Sequence, residues 1–383
     1  MIYRTLGRTG LRVSAIGLGA EHVTFEGYDE ICRVVNKCID AGINYIDFFM
    51  ASPEVRTQFG RALGSRRKDV MLAVHMGSVW EDGQYKWSRD YGECVGYIED
   101  FFERMNTDYI DILVLHLVDD LDDFNTVMDP GHFYGYASDL KKKGRAGHIG
   151  ISTHSVSVAR AAVDSGKLDL LEFPVNPVFD TFEGDINFEY LFTDGAYADL
   201  KGAKAESQRI GLYRYCESKG VPIAAIKIFA GGQLLRENNF SGLTLTPVQA
   251  AAYALSRPGV ATILPGLKDA GELDEVLRYL GAGDDEKDFS VINASDHWDF
   301  TGQCTYCNHC LPCPSHINIG AATRLLDSAK AYMHGGLLAE YGKLGVKPDA
   351  CVKCGACESR CPFKVAASEN MAACAALFGS FRG

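Results

Sequence analysis

The sequence predicts an α/β protein: a (β/α)8 barrel of the TIM type, followed by a small, mainly helical domain organised around cysteines. Two observations predict this. Between Val13 and Gly266 short apolar runs alternate with amphipathic stretches, and two cysteine runs of nearly the same design lie between Cys304 and Cys361. Composition sets the expected boundaries at residues 1–280 for the barrel, 281–297 for a linker and 298–383 for the cysteine domain.

Eight apolar runs carry the barrel: Val13–Gly19, Ile43–Phe49, Val70–His75, Ile110–His116, Gly147–Ser152, Leu170–Val175, Pro222–Phe229 and Ala261–Pro265. Each is rich in Ile, Val and Leu, as strands buried on both faces should be. Helical patterns separate them. Ile31, Val35 and Ile39 recur at spacing four, and Val95, Ile98 and Phe102 at three and four, which places one apolar stripe against a core. Such alternation specifies βα units with right-handed crossovers, and eight units close into a barrel. An open doubly wound sheet is the alternative, but no glycine fingerprint follows the first strand. A long segment from Phe179 to about Ser207, containing Glu183-Gly184-Asp185, has the length of a lid or binding loop. The stretch Gly281-Ala-Gly-Asp-Asp-Glu-Lys-Asp288 has the turn-rich composition of a linker. Ile319–Met333, between the cysteine runs, reads as a helix.

The cysteine runs are Cys304-Thr-Tyr-Cys307-Asn-His-Cys310-Leu-Pro-Cys313-Pro314 and Cys351-Val-Lys-Cys354-Gly-Ala-Cys357-Glu-Ser-Arg-Cys361-Pro362. Three cysteines at two-residue gaps bring three thiolates to one centre, and a fourth before proline serves the other centre. The spacing therefore predicts a ferredoxin-like iron–sulfur domain with two 4Fe–4S clusters. Cys304, Cys307, Cys310 and Cys361 would hold one, and Cys351, Cys354, Cys357 and Cys313 the other. Structural zinc takes short cysteine pairs separated by a longer loop, and disulfides imply secretion. Neither matches these runs. Cys32, Cys38, Cys94, Cys216 and Cys374 read as small core side chains.

An apolar fraction of 47% and a charged fraction of 23% are those of a soluble globular protein. A formal net charge of −12 argues against nucleic acid or an anionic membrane as the main partner. No apolar run approaches the roughly 20 residues that span a bilayer, and Met1-Ile-Tyr-Arg-Thr-Leu-Gly7 does not read as an export leader. Eight cluster thiolates require a reducing compartment, so the expected setting is cytoplasmic and anaerobic.

The segments Tyr3–Gly19, Gly42–Asp47, Asp108–His116, Gly144–Ser152 and Leu255–Gly266, in this order along the barrel, resemble the aldo/keto reductase family, and the whole chain resembles its subgroup with a C-terminal two-cluster domain. The resemblance implies carbonyl reduction by a nicotinamide cofactor, NADP(H), with an Asp, Tyr, Lys and His tetrad. Asp47 matches the Asp and His116 the His. Ser52 stands where the family has Tyr, and His75 where it has Lys. A serine hydroxyl is too weak an acid to replace a phenol of pKa about 10, and histidine replaces a permanent cation by a group that titrates near neutrality. The cofactor contacts implied by the resemblance are Ser152, at the nicotinamide amide, Glu172, where the family has Gln, and Gly266 with Lys268, which could hold a phosphate after the eighth strand. Thr153 and Glu275-Val276 depart from the family at further contacts, so weak nicotinamide binding or none is expected.

Asp47, His75 and His116 at the ends of strands two, three and four, with His154 just beyond strand five, form the expected constellation at the barrel mouth. It could be an acid/base set or a metal site with nitrogen and oxygen ligands; the strand-end geometry, inherited from a metal-free family, favours acid/base. The expected protein is an oxidoreductase passing electrons between a ferredoxin-type carrier and a small polar substrate. The rival readings are a lyase, dehydratase or isomerase using Asp47, His75 and His116, and a non-enzymatic electron carrier.

Overall fold

A computed structural model describes residues 1–182, 185, 203–204, 208–237, 243–294, 298–331, 333 and 335–381. The Phe179–Ser207 segment expected to form a lid or binding loop lies largely outside the described residues.

One parallel sheet of eight strands organises the chain. The strands are β1 (Leu18–Gly19), β2 (Tyr45–Phe48), β3 (Met71–Met76), β4 (Ile110–Leu115), β5 (Ala146–Ser152), β6 (Leu170–Pro174), β7 (Ile223–Ile226) and β8 (Val260–Ile263). Each pairs with its neighbour in sequence. Parallel bridges Ile16↔Ile263 and Gly19↔Gly266 join the first strand to the last, bringing the sheet close to a complete barrel. All eight apolar runs contribute a strand, because apolar β-branched stretches with helical connections can bury both faces only in this way.

The period-2 alternation sorts side chains into an inner and an outer set. Tyr45, Ala73, Ile112, Val114, Leu170, Ala224 and Ala261 pack inside the barrel. Ile46, Leu72, Val74, Leu113, Leu171 and Phe173 face the helices. Two residues beyond an inner residue lies another inner position, so Asp47, His75, His116 and Glu172 follow Tyr45, Ala73, Val114 and Leu170 as the next layer. That layer closes the C-terminal end of the barrel, where the connecting loops gather.

The helices match their stripes. Tyr28–Asp40 buries Ile31, Val34, Val35 and Cys38. Tyr91–Arg104, capped by Asp90, buries Cys94, Ile98, Phe101 and Phe102. A β-hairpin, Ser78–Glu81 with Gln84–Trp87, interrupts the passage from β3 to that helix, and its aromatic residues gave no clear strand signal in the sequence. Gly77 adopts φ +111° immediately before it, a left-handed conformation that glycine takes without a Cβ penalty. The turn carries the chain off the barrel and folds the hairpin back over the mouth.

The stretch expected to be a linker holds a short helix, Asp284–Lys287, and lays Phe289 and Ile292 into the barrel-side core. Ile319–Ala331 is helical, as the sequence predicts, and packs against Ala367–Gly379 through a second core containing Leu326, Met371, Cys374 and Phe378. The helix Gln208–Ser218 joins the two regions: Arg214 pairs with Asp327 at 3.2 Å and Glu217 with Arg324. Among the described residues no helix is long and apolar enough to cross a membrane.

Candidate functional site

Four side chains from four strands meet in the layer that closes the barrel. His75 Nε2 lies 2.8 Å from Asp47 Oδ1 and 3.1 Å from Glu172 Oε2. The second contact is an ion-pair distance without hydrogen-bond alignment, so both Glu172 oxygens lack a hydrogen-bond partner among the described residues. On its other side His75 Nδ1 meets His116 Nδ1 at 2.8 Å, and His116 Nε2 meets the Tyr85 hydroxyl at 2.6 Å. Asp47, His75, His116 and Glu172 are all buried, and Tyr85 at the end of the chain is 37% exposed. The result is a continuous line of polar contacts from the buried barrel interior to the hairpin at its mouth.

Electrostatics assign the protons along this line. Burial alone would lower the His75 pKa, but Glu172 and Asp47 outweigh it and raise the imidazolium to about 10. Burial, and then Asp47, push the Glu172 carboxyl upward, with His75 opposing them. His116 has no such counterion. Burial, followed by the positive charge of His75 and of Arg89, holds it well below its ordinary value, hence neutral. Burial, then Glu21, raises the Tyr85 phenol to about 12. A buried carboxylate pair answered by a protonated histidine avoids the cost of two uncompensated charges.

The ring of Phe49 forms one wall. It lies parallel to His116, with centroids 5.6 Å apart at 13°, and edge-on to Tyr85 at 5.4 Å. Arg89 clamps the base of the hairpin by donating to both Asp123 oxygens at 2.6 Å and to the Leu117 carbonyl at 2.8 Å. Lys227, beyond β7, faces the same mouth; burial lowers its ammonium to about 8 against the opposing charges of Glu21 and Asp119. Tyr85 and Lys227 reach the site from a hairpin and a loop outside the strand-end pattern, so spacing alone does not place them; of the aromatic residues open to the site from sequence (Tyr45, Trp80 and Tyr85), it is the Tyr85 hydroxyl that meets His116.

The remaining candidates have other partners. Ser52 is buried and its hydroxyl caps the helix Pro53–Leu63, accepting from Val55 N at 3.4 Å. His154 is held by Asp119, whose carboxylate accepts from its backbone N–H at 2.6 Å and meets its Nδ1 at 2.9 Å. Burial, opposed by Asp119, lowers that imidazole to about 4. Ser152 is buried on β5, directly in register with Glu172 on β6. Lys268 is exposed. The backbone donors around it are already engaged: Lys268 N donates to Glu272, Ala270 N to Glu30, and Gly271 N and Glu272 N to Asp269. A phosphate at this helix start would have to displace three carboxylates, and would meet their negative charge.

Asp47, His75 and Glu172 also present one ligand atom each within 4.8 Å of one another, a nitrogen–oxygen–oxygen set of the kind that divalent ions accept.

In the C-terminal region the cysteines line two cavities, and each cavity draws on both runs. Cys351, Cys354, Cys357 and Cys313 line one, with Ile317 and Met371. Cys304, Cys307, Cys310 and Cys361 line the other, with Phe363 and Val365. The backbone repeats between the runs. Tyr306 and Asn308 flank Cys307 with φ +57° and +66°, and Lys353 and Gly355 flank Cys354 with φ +52° and +73°. His316 and Lys364, three residues after Cys313 and Cys361, are also left-handed. Turns of this kind point successive N–H groups inward and suit an anionic guest. Arg360, next to Cys361, donates to the carbonyls of Cys310 and Pro312 at 2.7 and 2.6 Å, tying the second run to the first. The donor set fits two sulfur-ligated iron clusters. Of the other five cysteines, Cys38, Cys94, Cys216 and Cys374 are buried and Cys32 is half-buried, all as free thiols.

Both regions match known families. The pattern of the Aldo/keto reductase family matches residues 15–244, and that of the 4Fe-4S dicluster domain matches residues 303–366. The uncharacterized oxidoreductase YqkF of Bacillus subtilis is 28% identical over 292 residues, covering 73% of this chain and 91% of that protein. The L-galactose dehydrogenase of Arabidopsis thaliana is 22% identical over 328 residues, covering 76% and 93%. Among solved structures, the holo form of aldo-keto reductase AKR11C1 from Bacillus halodurans superposes with a TM-score of 0.56 at 20% identity, covering 77% of this chain and 96% of that one.

Proposed function

This chain belongs to the aldo/keto reductase family, and on that premise we propose that it is an iron–sulfur oxidoreductase with a rebuilt active site, which delivers electrons from a ferredoxin-type carrier to a small polar substrate at the barrel mouth. The observation that carries this reading is the pairing, in one chain, of a reductase barrel with two crossed four-cysteine cavities. Cys304, Cys307, Cys310 and Cys361 would hold one 4Fe–4S cluster, and Cys351, Cys354, Cys357 and Cys313 the second. When bound, such clusters supply one-electron transfer.

The barrel residues supply the rest. Tyr and Lys of the family tetrad are replaced by Ser52 and His75. Ser52, engaged as a helix cap, is a poor proton donor. The cation that Lys would provide is restored by His75, because Glu172 stands where the family has Gln and adds the second carboxylate that keeps the imidazole charged. Asp47 and Glu172 thus hold a proton at His75 Nε2, and Phe49 shields the histidine pair from water. The carboxylates on the N–H groups from Lys268 to Glu272 disfavour the nucleotide phosphate, which supports a donor other than NADP(H). Cytoplasmic, anaerobic conditions suit the thiolates.

Anaerobic assay of a panel of small carbonyl and hydroxy compounds tests this. Reduced viologen should drive turnover and NADPH should not. Turnover that needs neither donor would identify a lyase or isomerase. NADPH-driven reduction of a generic aldehyde would restore the ordinary reductase.

A further inference from the structure

The line of contacts through His75 and His116 ends on a phenol that nothing in the strand-end pattern anticipates. We propose that Tyr85, carried on the hairpin after β3, is the proton donor of this site, and that His116 and His75 recharge it while Asp47 and Glu172 keep His75 doubly protonated. This rests on the reading above, in which the substrate gains negative charge by reduction.

Two carboxylates beside His75 Nε2 favour the doubly protonated ring, and connectivity then carries that choice along the chain. A doubly protonated His75 donates Nε2–H to Asp47 Oδ1, with Glu172 beside it at 3.1 Å, and Nδ1–H to His116 Nδ1, 2.8 Å away. His116 is neutral, so its one ring proton must sit on Nε2, where it donates to the Tyr85 oxygen at 2.6 Å. The phenolic O–H is then free to point into the mouth. If His75 were neutral with its proton on Nε2, both bonds beyond it would reverse: His116 would donate from Nδ1, Tyr85 would donate inward to His116 Nε2, and no proton would face a substrate.

The transfer balances with no electron moving in it. As the substrate oxygen becomes negative, the Tyr85 O–H bond breaks and its proton goes to that oxygen. The His116 Nε2 proton passes to Tyr85, and the His75 Nδ1 proton to His116 Nδ1. His75 ends neutral, keeping Nε2–H against Asp47 and Glu172. The relay matters because a phenol held above its ordinary pKa is a weak acid on its own, and donation coupled to the histidines never leaves a phenolate. Phe49, against all three rings, fixes their mutual orientation.

The titratable and charged groups facing the chain are Asp47 and Glu172 at His75, Arg89, His154 and Lys227 at His116, and Glu21 with Arg89 at Tyr85. Long-range 15N–1H spectra of the histidine-labelled full chain, isolated anaerobically with its clusters, read protonation and tautomer directly, with H75Q and H116Q assigning the signals. At neutral pH His75 should be doubly protonated and His116 neutral with its proton on Nε2. E172Q should lower the pKa of His75 by about one to three units and move the alkaline limb of the viologen-driven pH profile down by the same amount. Y85F should leave both rings unchanged while kcat falls about 10²- to 10⁴-fold at little-changed KM.

A neutral His75 with His116 protonated on Nδ1 would overturn the proposal. So would a His75 signal that moves on titration with Zn2+ or Mn2+ in the native chain but not in E172Q, since the same three groups would then be metal ligands. Failure of the two readings is distinguishable. Viologen-driven turnover that survives in Y85F removes Tyr85 as donor and leaves electron delivery standing. Protons in the expected places without viologen-driven turnover support the charge arrangement and remove electron delivery.

Discussion

A carboxylate that lacks a hydrogen bond in a dry interior is costly unless a cation answers it, and at Glu172 the answering group is His75. The two residues therefore have to be considered together. Replacing His75 by Gln removes the cation that opposes the upward push of burial and Asp47 on Glu172, so Glu172 should take up a proton and the protein should lose about 1–3 kcal/mol, measured by chemical denaturation at neutral pH. The pH dependence has a definite sign. The His75 pKa is raised in the folded state, so its contribution is fully present below the ordinary value of 6.5 and is lost as pH rises through about 10. Glu172, also raised, slopes in the same direction at lower pH. Stability should thus decline between pH 7 and 10.5, and the part of that decline due to His75 should vanish in H75Q. An unchanged slope would show that His75 is neutral in the fold.

At the scale of elements, the hairpin Ser78–Glu81/Gln84–Trp87 positions the group that faces the mouth. Its placement depends on the φ of +111° at Gly77 and on Arg89, which spans Asp123 and the Leu117 carbonyl. A Cβ at residue 77 would also stand 3.4 Å from the His116 Cβ and 3.0 Å from Arg89 Nη1. Gly77→Ala should cost about 1–3 kcal/mol through backbone strain and displace the hairpin, which the Tyr85–His116 contact in NMR spectra would register. Ser52 is the contrasting case. It starts a helix, so Ser52→Ala should cost about 1 kcal/mol in stability with turnover retained. A large loss of turnover at unchanged stability would return Ser52 to the reaction.

Across the whole molecule, the cysteine domain is fastened to the barrel by buried polar contacts as well as by apolar packing. Arg257, at the end of the helix Pro247–Ser256, donates to the Thr305 carbonyl at 2.5 Å inside the first cysteine run and lies over the Tyr253 ring. Arg257→Met should leave that carbonyl unsatisfied, at a cost of about 1–3 kcal/mol, and should hasten cluster loss on exposure to air, followed by the decay of visible absorption. The crossed cavities lead to a sharper expectation. Cys313→Ser should damage the cluster held mainly by the second run, and Cys361→Ser that held by the first. Iron analysis of the intact protein should give about eight atoms per chain. Damage confined to the mutated run would show that each run closes its own site.

The sequence by itself determined the barrel, the order of its strands, the grouping of the cysteines into two sets and three of the four residues that meet in the closing layer: Asp47, His75 and His116. These were legible because they follow local rules. Strand burial appears as apolar runs, inward direction as a period of two, and cluster ligation as fixed spacing. Glu172 was visible at its strand but was assigned to a cofactor, since nothing in a linear pattern says that residues 47, 75 and 172 share a neighbour. That juxtaposition is made by barrel closure, which sets β6 against the far side of β2 and β3. Tyr85 was less legible still. Its approach depends on a left-handed turn and a hairpin that fold over the mouth, and on the salt bridge that fixes them. The proton direction proposed for Asp47, Glu172, His75, His116 and Tyr85 rests on mutual burial and charge, quantities that exist only in the tertiary structure.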